Sequence, residues 1–266
     1  MPSAKPWQRY GMPPPKSEAS GGRLSLKDYE IYSGVEVPPG PFFVRLDGWG
    51  FHALAKQLKL RKPFDRRFAQ TMAKVAESFF LPFNPALAYI FSDEINLLFI
   101  QATSFRRIEK IDSVFAGLAS AVFSRLVSQP AAFDCRVIPV GKANVRKYIV
   151  WRQAECFRNH NNAWAQWVAI KKDRLSPRAT DKTLSGMNVR ALMRYCKARG
   201  VSLSSTPAWQ RRGVLLYQES YRKRGYDPIR KKKVVVERRR VRTDWAPPLF
   251  SSPKGKALVA ARMPRQ

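Results

Sequence analysis

The sequence predicts an α+β protein whose core is a ferredoxin-like split βαβ sheet, β-α-β-β-α-β, carrying a C-terminal helical and basic β-ribbon extension. Three observations predict it. Short apolar runs occupy 42–47, 86–91, 95–100 and 133–140, each the length of a buried strand. Two stretches, 64–79 and 108–122, repeat apolar residues every three or four positions, the period of an amphipathic helix. Their order within about a hundred residues is strand, helix, strand, strand, helix, strand.

Residues 1–22 are rich in Pro, Gly and Ser and read as a flexible arm. Phe42, Phe43, Val44 and Leu46 form the first strand, broken by Gly48 and Gly50. Phe64, Phe68, Met72, Val75 and Phe79 give the first helical stripe. "ALAYIF" and "INLLFI" flank "SDE" at 92–94 as a hairpin with acids at its turn. Ile108, Ile111, Phe115, Leu118 and Val122 give the second stripe, and "FDCRVIPV" is the last strand of that sheet. Beyond it, 142–170 and 187–199 read as helices, 213–220 and 232–245 as strands of a ribbon, and Pro and Ser mark a loose end. The division is an arm at 1–22, the split βαβ unit at 23–141, a helical and basic β-rich region at 142–246 and a loose tail at 247–266.

With 49 Lys and Arg against 19 Asp and Glu in 266 residues, the chain carries a formal charge of +30. On a chain 45% hydrophobic, enough to fold, that excess implies a polyanionic partner, nucleic acid before an anionic membrane surface. Residues 171–266 hold 26 basic and 6 acidic residues, so +20 of the charge lies in the C-terminal third. Cys135, Cys156 and Cys196 lack C-x-x-C spacing and there are two histidines, which points away from zinc and toward a hard ion held by oxygen. No run approaches the ~18 apolar residues of a membrane span; the expected compartment is the cytoplasm.

Right-handed crossovers in this topology set the first and third strands side by side and antiparallel. Asp47, ending the first strand, then lies beside Asp93 and Glu94, opening the third. Three carboxylates converging in so basic a chain either are turn residues or hold divalent cations, which relieve their repulsion. Paired Mg²⁺ ions roughly 3.5–4 Å apart would activate an attacking oxygen and neutralise a leaving phosphate.

Around these acids lie further candidates, each with a plainer reading beside it. Gly48, Trp49 and Gly50 ahead of a helix starting at Phe51 are a simple turn or a set of N–H groups for a triphosphate. His52 packs the loop or touches a phosphate or base. Lys62, Arg106, Arg107 and Lys110 are a solvated face or triphosphate ligands. Trp151, Phe157, Trp164 and Trp167 interleave with Arg152, Arg158, Asn159, His160, Asn161 and Asn162, either as core or as a surface that stacks on and reads RNA bases. The basic run at 222–242, interrupted by valines, reads as a folded ribbon laid on phosphates rather than a solvated tail.

"RLDGWGFH", "KPFD", "SDE", "RRIEK", "FDCRV" and "WRQAECFRN", in this order, resemble the tRNA(His) guanylyltransferase family and its relatives, the 3′-to-5′ polymerases. The ending "YDPIRKKKVVVERRRVRTDWAPPLF" resembles that of archaeal-type members. The resemblance runs from about Leu24 to Trp245 and implies a polymerase-like palm. It also implies two Mg²⁺ ions held by Asp47, the Gly48 carbonyl and Asp93, and nucleotide contacts from Asp47 through Gly48, Trp49, Gly50, Phe51 and His52 to Ser92 and Asp93. Lys62, Arg107 and Lys110 match basic residues near triphosphate groups, and Glu94 matches a further acid. The implied reaction activates the tRNA 5′ end with ATP (or GTP), lets the GTP 3′-OH displace AMP, and then removes pyrophosphate. The implied assembly is a homo-oligomer, commonly a tetramer. Template-dependent repair of tRNA 5′ ends is the alternative within the family, and a non-catalytic RNA-binding palm is the alternative outside it. Phe157, Arg158, Asn159 and His160 stand where eukaryotic members carry His-Ile-Asn-Asn, and Trp49 stands where an Arg often follows the first Gly.

Overall fold

The computed structural model describes residues 29–227, 229 and 231–263, and from Glu36 onward helices cover both faces of one antiparallel sheet. The expected arm at 1–22 and the first residues of the palm lie outside the described residues. The first apolar run forms β1 (Phe42–Trp49). It is two residues longer than its glycines predict, because Gly48 and Trp49 stay extended and pair with Phe133 and Ala132 of β4 (Ala132–Pro139). Gly48 is confined there by contact: a Cβ on it would lie 2.6 Å from the Phe51 ring. Gly50, at φ 69°, turns the chain into α1 (Phe51–Gln57), a left-handed position that suits glycine.

The first stripe forms α2 (Arg66–Glu77), whose start is fixed by Asp65 accepting from the Arg67 N–H. Phe64 precedes this helix, and Phe79 lies between it and the short α3 (Phe80–Phe83). β2 (Leu87–Phe91) and β3 (Glu94–Phe99) are a hairpin closed at Ser92 and Asp93, with Ser92 at φ 50°. Next come α4 (Ile108–Val127), β4, and the long α5 (Gly141–Lys171). A small helical lobe follows, α6 (Pro177–Leu184), α7 (Val189–Ala198) and α8 (Ala208–Arg212), then β5 (Val214–Asp227), β6 (Lys232–Asp244) and α9 (Pro253–Ala260).

Strand order is β4-β1-β3-β2-β5-β6. The first four are the split βαβ order, with β1 and β3 antiparallel neighbours as the topology requires. One face buries Val44, Leu46, Ile90, Ile95 and Leu97 with α2 and α4; the other buries Phe43, Leu87, Tyr89 and Leu98 with α5 and Phe250. The alternation along each strand thus sorts side chains between two apolar layers.

One expectation, the loose tail, is corrected by this packing. The ribbon is continuous with the palm's own sheet, since Val214 to Leu216 of β5 pair with Ile90 to Ala88 of β2. From Tyr217 outward β5 pairs with β6 alone, so 217–227 project roughly 36 Å at about 3.3 Å per residue. The region from 247 to 263 is not loose. Ser252 caps α9 with Pro253 in its first turn, the arrangement in which Pro starts a helix rather than ending one. Phe250 is fully buried and its N–H donates to Gln153 Oε1 at 2.8 Å. Among the described residues no helix is long and apolar enough to cross a membrane.

Candidate active site

Register sets the acids. Leu46 pairs with Ile95, which brings Asp47 to the level of the β2–β3 turn that carries Asp93. On its other side Asp47 pairs directly with Asp134 of β4. Burial pushes the Asp47 carboxyl up to about 6, and Asp93, Glu94 and Asp134 add to the rise while Arg45 opposes it. Such mutual repulsion at a sheet edge is what a cation would relieve. The expectation that Asp47 and Asp93 share an edge therefore holds in the geometry. Asp134 was not among the sequence candidates, although the register of an edge strand beside β1 is what supplies it.

Glu94 is a correction. Strand alternation turns its side chain onto the face covered by α5, where Arg152 Nε and Nη2 donate to its two oxygens at 2.8 and 2.6 Å. Asn96 Nδ2 also donates to Glu94 Oε1 at 2.7 Å, and Tyr148 donates to Asn96 Oδ1 at 2.8 Å. The ion-paired side chains are only 9% and 8% exposed, so both carboxylate oxygens are occupied by the protein. Glu94 is therefore held by Arg152 and Asn96 rather than standing as a free acid. Arg152 is corrected with it, being the buried partner of Glu94 and not a surface for RNA.

Beside the acidic edge opens a cavity of about 430 Å³ between α1, α2, the β2–β3 turn, α5 and α8. His52, Lys62, Ser92 and Asp93 line one side, and Asn159, Asn162, Gln166 and Gln210 the other. His52, Lys62, Asn159 and Asn162 are exposed, as is Arg158, whereas Phe51 is 6% exposed and belongs to the core, giving the cavity one edge. His160 also lines it but is fully buried, stacked on Phe64 at 5.8 Å, with its pKa brought down to about 4 by burial. Its Nε2 lies 2.8 Å from Thr206 Oγ1, and Nδ1 and the neighbouring Asn161 Oδ1 are two buried acceptors left over. The Thr206 hydroxyl donates to the Leu203 carbonyl at 2.9 Å, so Nε2–H donates to Oγ1 and Nδ1 stays an acceptor.

Arg107 and Lys110 are not part of this edge. Phe133 N–H donates to Ser120 Oγ at 3.0 Å, which places Ser120 at the level of Gly48; Arg107 is 13 residues earlier, about 20 Å along α4 toward the opposite end of the sheet. There Val37 N–H donates to the Arg106 carbonyl, and the Lys110 ammonium sits 5.0 Å from the Phe105 ring centroid. The loop at 100–107 leaves β3 from the Phe42 end, so nearness in sequence misleads. Trp49 is 75% exposed beside the acids, opposite Ala132 of the edge strand.

The sequence model of the tRNAHis guanylyltransferase (Thg1) family matches residues 24–141, the palm that carries these acids. The chain is 27% identical over 223 residues to tRNA(His) guanylyltransferase of Debaryomyces hansenii, spanning 77% of this chain and 83% of that one. Its 24–141 segment is thus similar to the tRNA(His) guanylyltransferase family. A human relative named probable tRNA(His) guanylyltransferase is 32% identical over 158 residues, 54% of this chain and 52% of its own length. The fold is that of a bacterial Thg1-like protein in complex with GTP, at TM-score 0.66 and 24% identity over 89% of this chain and 96% of that one. The Saccharomyces cerevisiae tRNA(His) guanylyltransferase superposes with TM-score 0.64 at 21% identity, covering 80% of this chain and 96% of its own. The family match ends at the start of α5, so the cavity's far wall, Asn159 to Gln210, lies outside the matched segment.

Proposed function

We propose that the chain is a nucleotidyltransferase that adds guanylate to the 5′ end of tRNA(His), with Asp47 and Asp93 at its centre. The observation that supports this most directly is the meeting of those two carboxylates at one palm edge, with Asp93 lining the cavity alongside His52, Lys62 and Ser92.

The donor set fits Mg²⁺. Among the described residues no three His, Cys, Asp or Glu side chains form a metal cage, and Mg²⁺ is held by one or two carboxylates while water and substrate phosphate complete its shell. Asp47, Asp93 and the Gly48 carbonyl would hold it, and when bound it supplies positive charge opposite charge developing on the phosphates. The residues of this chain do the rest. The cavity takes the nucleoside, the Lys62 ammonium faces the triphosphate, and Asn159 and Asn162 offer amides to base edges. In the first step the tRNA 5′-phosphate attacks the α-phosphate of ATP (or GTP) and pyrophosphate leaves. In the second the 3′-OH of GTP attacks the activated 5′-phosphate, a new phosphodiester forms and the nucleoside monophosphate leaves. The GTP and ATP complexes of similar bacterial proteins support a triphosphate at this edge.

Transfer of labelled GTP to tRNA(His) tests the reading. Asp47→Ala and Asp93→Ala should each abolish transfer while leaving the fold intact, and undiminished transfer in both variants would sink it. Template-dependent 5′-end repair is supported by one observation: with His160 buried, Phe157, Arg158 and Asn159 of the altered stretch are what remains exposed to an RNA. Labelled-nucleotide addition across 5′-truncated tRNAs separates the two. Oligomeric assembly in the cytoplasm completes the reading, and sedimentation of the purified chain reports the oligomer.

A further inference from the structure

The helical lobe stands beyond the acidic edge. α5 starts at the Phe42 end of the sheet, where Gly141 N–H donates to the Pro41 carbonyl, and it reaches the acids at Arg152, the partner of Glu94. It then runs on: Val168, 16 residues later, packs with Leu192 and Cys196 of α7, about 24 Å past the edge at 1.5 Å per residue. Leu192 and Cys196 turn α7 inward. At 100° per residue Arg190, Arg194 and Lys197 fall within an arc of about 60° on its opposite side. All three are exposed, and none of their side chains forms an ion pair or hydrogen bond among the described residues. Across α6 and α7 together, five Lys or Arg face one acid, Asp181.

A stripe of one sign with no acid beside it carries self-repulsion that a polyanion relieves. We propose that Arg190, Arg194 and Lys197 form a docking surface for the phosphate backbone of an RNA duplex whose 5′ end lies at Asp47 and Asp93. The proposal rests on the reading above, since that reading puts the RNA end at the acids. Its distance is set by the fold: 24 Å corresponds to roughly nine base steps at the ~2.8 Å rise of an A-form RNA duplex. The stripe holds the stem at that remove from its reacting end. A stem shorter than this cannot reach it.

The test uses the full-length chain, Arg190→Gln/Arg194→Gln/Lys197→Gln, and a control that removes equal charge at the far end of α5, Lys142→Gln/Arg146→Gln/Lys147→Gln. Each is checked for an unchanged thermal transition, and affinity is measured against salt for a hairpin of about twelve base pairs and one of about four. Loss of three phosphate contacts lowers the slope of log K against log salt by about two to three on the long hairpin. The short hairpin should show the wild-type slope, and the control triple should leave the long hairpin's slope closer to wild type. An unchanged slope on the long hairpin, or an equal fall on both hairpins or in both triples, overturns the docking surface while guanylate transfer by the wild type still stands. A wild type that transfers no guanylate and binds neither hairpin overturns the underlying reading and the surface with it. Loss of binding to anionic vesicles instead of RNA would assign the stripe to a lipid surface and equally overturn it.

Discussion

Removing Arg152 should expose what the buried pair with Glu94 does. Arg152→Met keeps the stem's volume but leaves the Glu94 carboxylate under a tenth exposed with Asn96 as its one remaining donor. Stranding a buried charge in this way costs about 3–5 kcal/mol, and 3 kcal/mol is a change of roughly 150-fold in the folded-to-unfolded ratio. Glu94→Gln in the same chain removes that charge and keeps an acceptor for Asn96, so the double variant should recover at least half of the loss. Urea unfolding followed by circular dichroism reads this directly, with the midpoint of Arg152→Met falling by about 1 M for an m-value of roughly 3 kcal/mol/M. Strictly additive losses in the two singles and the double would show that the groups do not interact, and a neutral Arg152→Met would remove the pair as the tie between α5 and the turn. A functional arm separates positioning from metal holding: Glu94→Gln should leave the Mg²⁺ concentration for half-maximal transfer unchanged, whereas Asp93→Asn should raise it. An equal rise in both would return Glu94 to the ion.

Gly48→Ala should destabilise by about 1–3 kcal/mol, read as a lower thermal midpoint, because the new methyl meets the Phe51 ring at 2.6 Å. Phe250→Ala should cost about 3–5 kcal/mol, and truncation after Trp245 should cost at least as much; a tail that could be cut without loss would contradict the burial of Phe250. Asp65 is held well below the usual carboxylate range, first by the Arg67 guanidinium and then by the Arg61 and Arg67 N–H groups. A depressed acid stabilises above its unfolded value of 3.8 and loses that contribution as pH falls toward its folded one. Asp65→Ala should therefore cost about 1–2 kcal/mol at neutral pH, and its difference from wild type should shrink between about pH 4 and pH 2.

The palm was legible because its elements are periodic and its connections obey one handedness. Given the strand order, the convergence of Asp47 with Asp93 followed without a side chain being placed. What failed was anything decided by a long-range partner. Glu94 looked like a third free acid because it follows Asp93, and it does add to the rise at Asp47, but its carboxylate is claimed by Arg152, 58 positions away. Arg107 and Lys110 are close to Asp93 in sequence, yet the extended loop after β3 carries them to the other end of α4. Asp134 needed the register of β4, which an apolar run does not reveal. The tail was misread through Ser252 and Pro253, which punctuate a loop and open a helix with equal ease.

The pairing of β5 with β2 also orders events during synthesis. β2, buried at all five of its residues, has one neighbour in the palm, β3, and its other hydrogen-bonding edge waits for Val214 to Leu216. At about 5–20 residues per second the ribosome needs roughly 6–25 s to make the intervening chain. For that interval the nascent palm presents an open apolar edge, a surface on which chains of this kind aggregate. Asp93 follows that same strand in the β2–β3 turn, so the surroundings of this candidate acid cannot be completed until most of the molecule has been made.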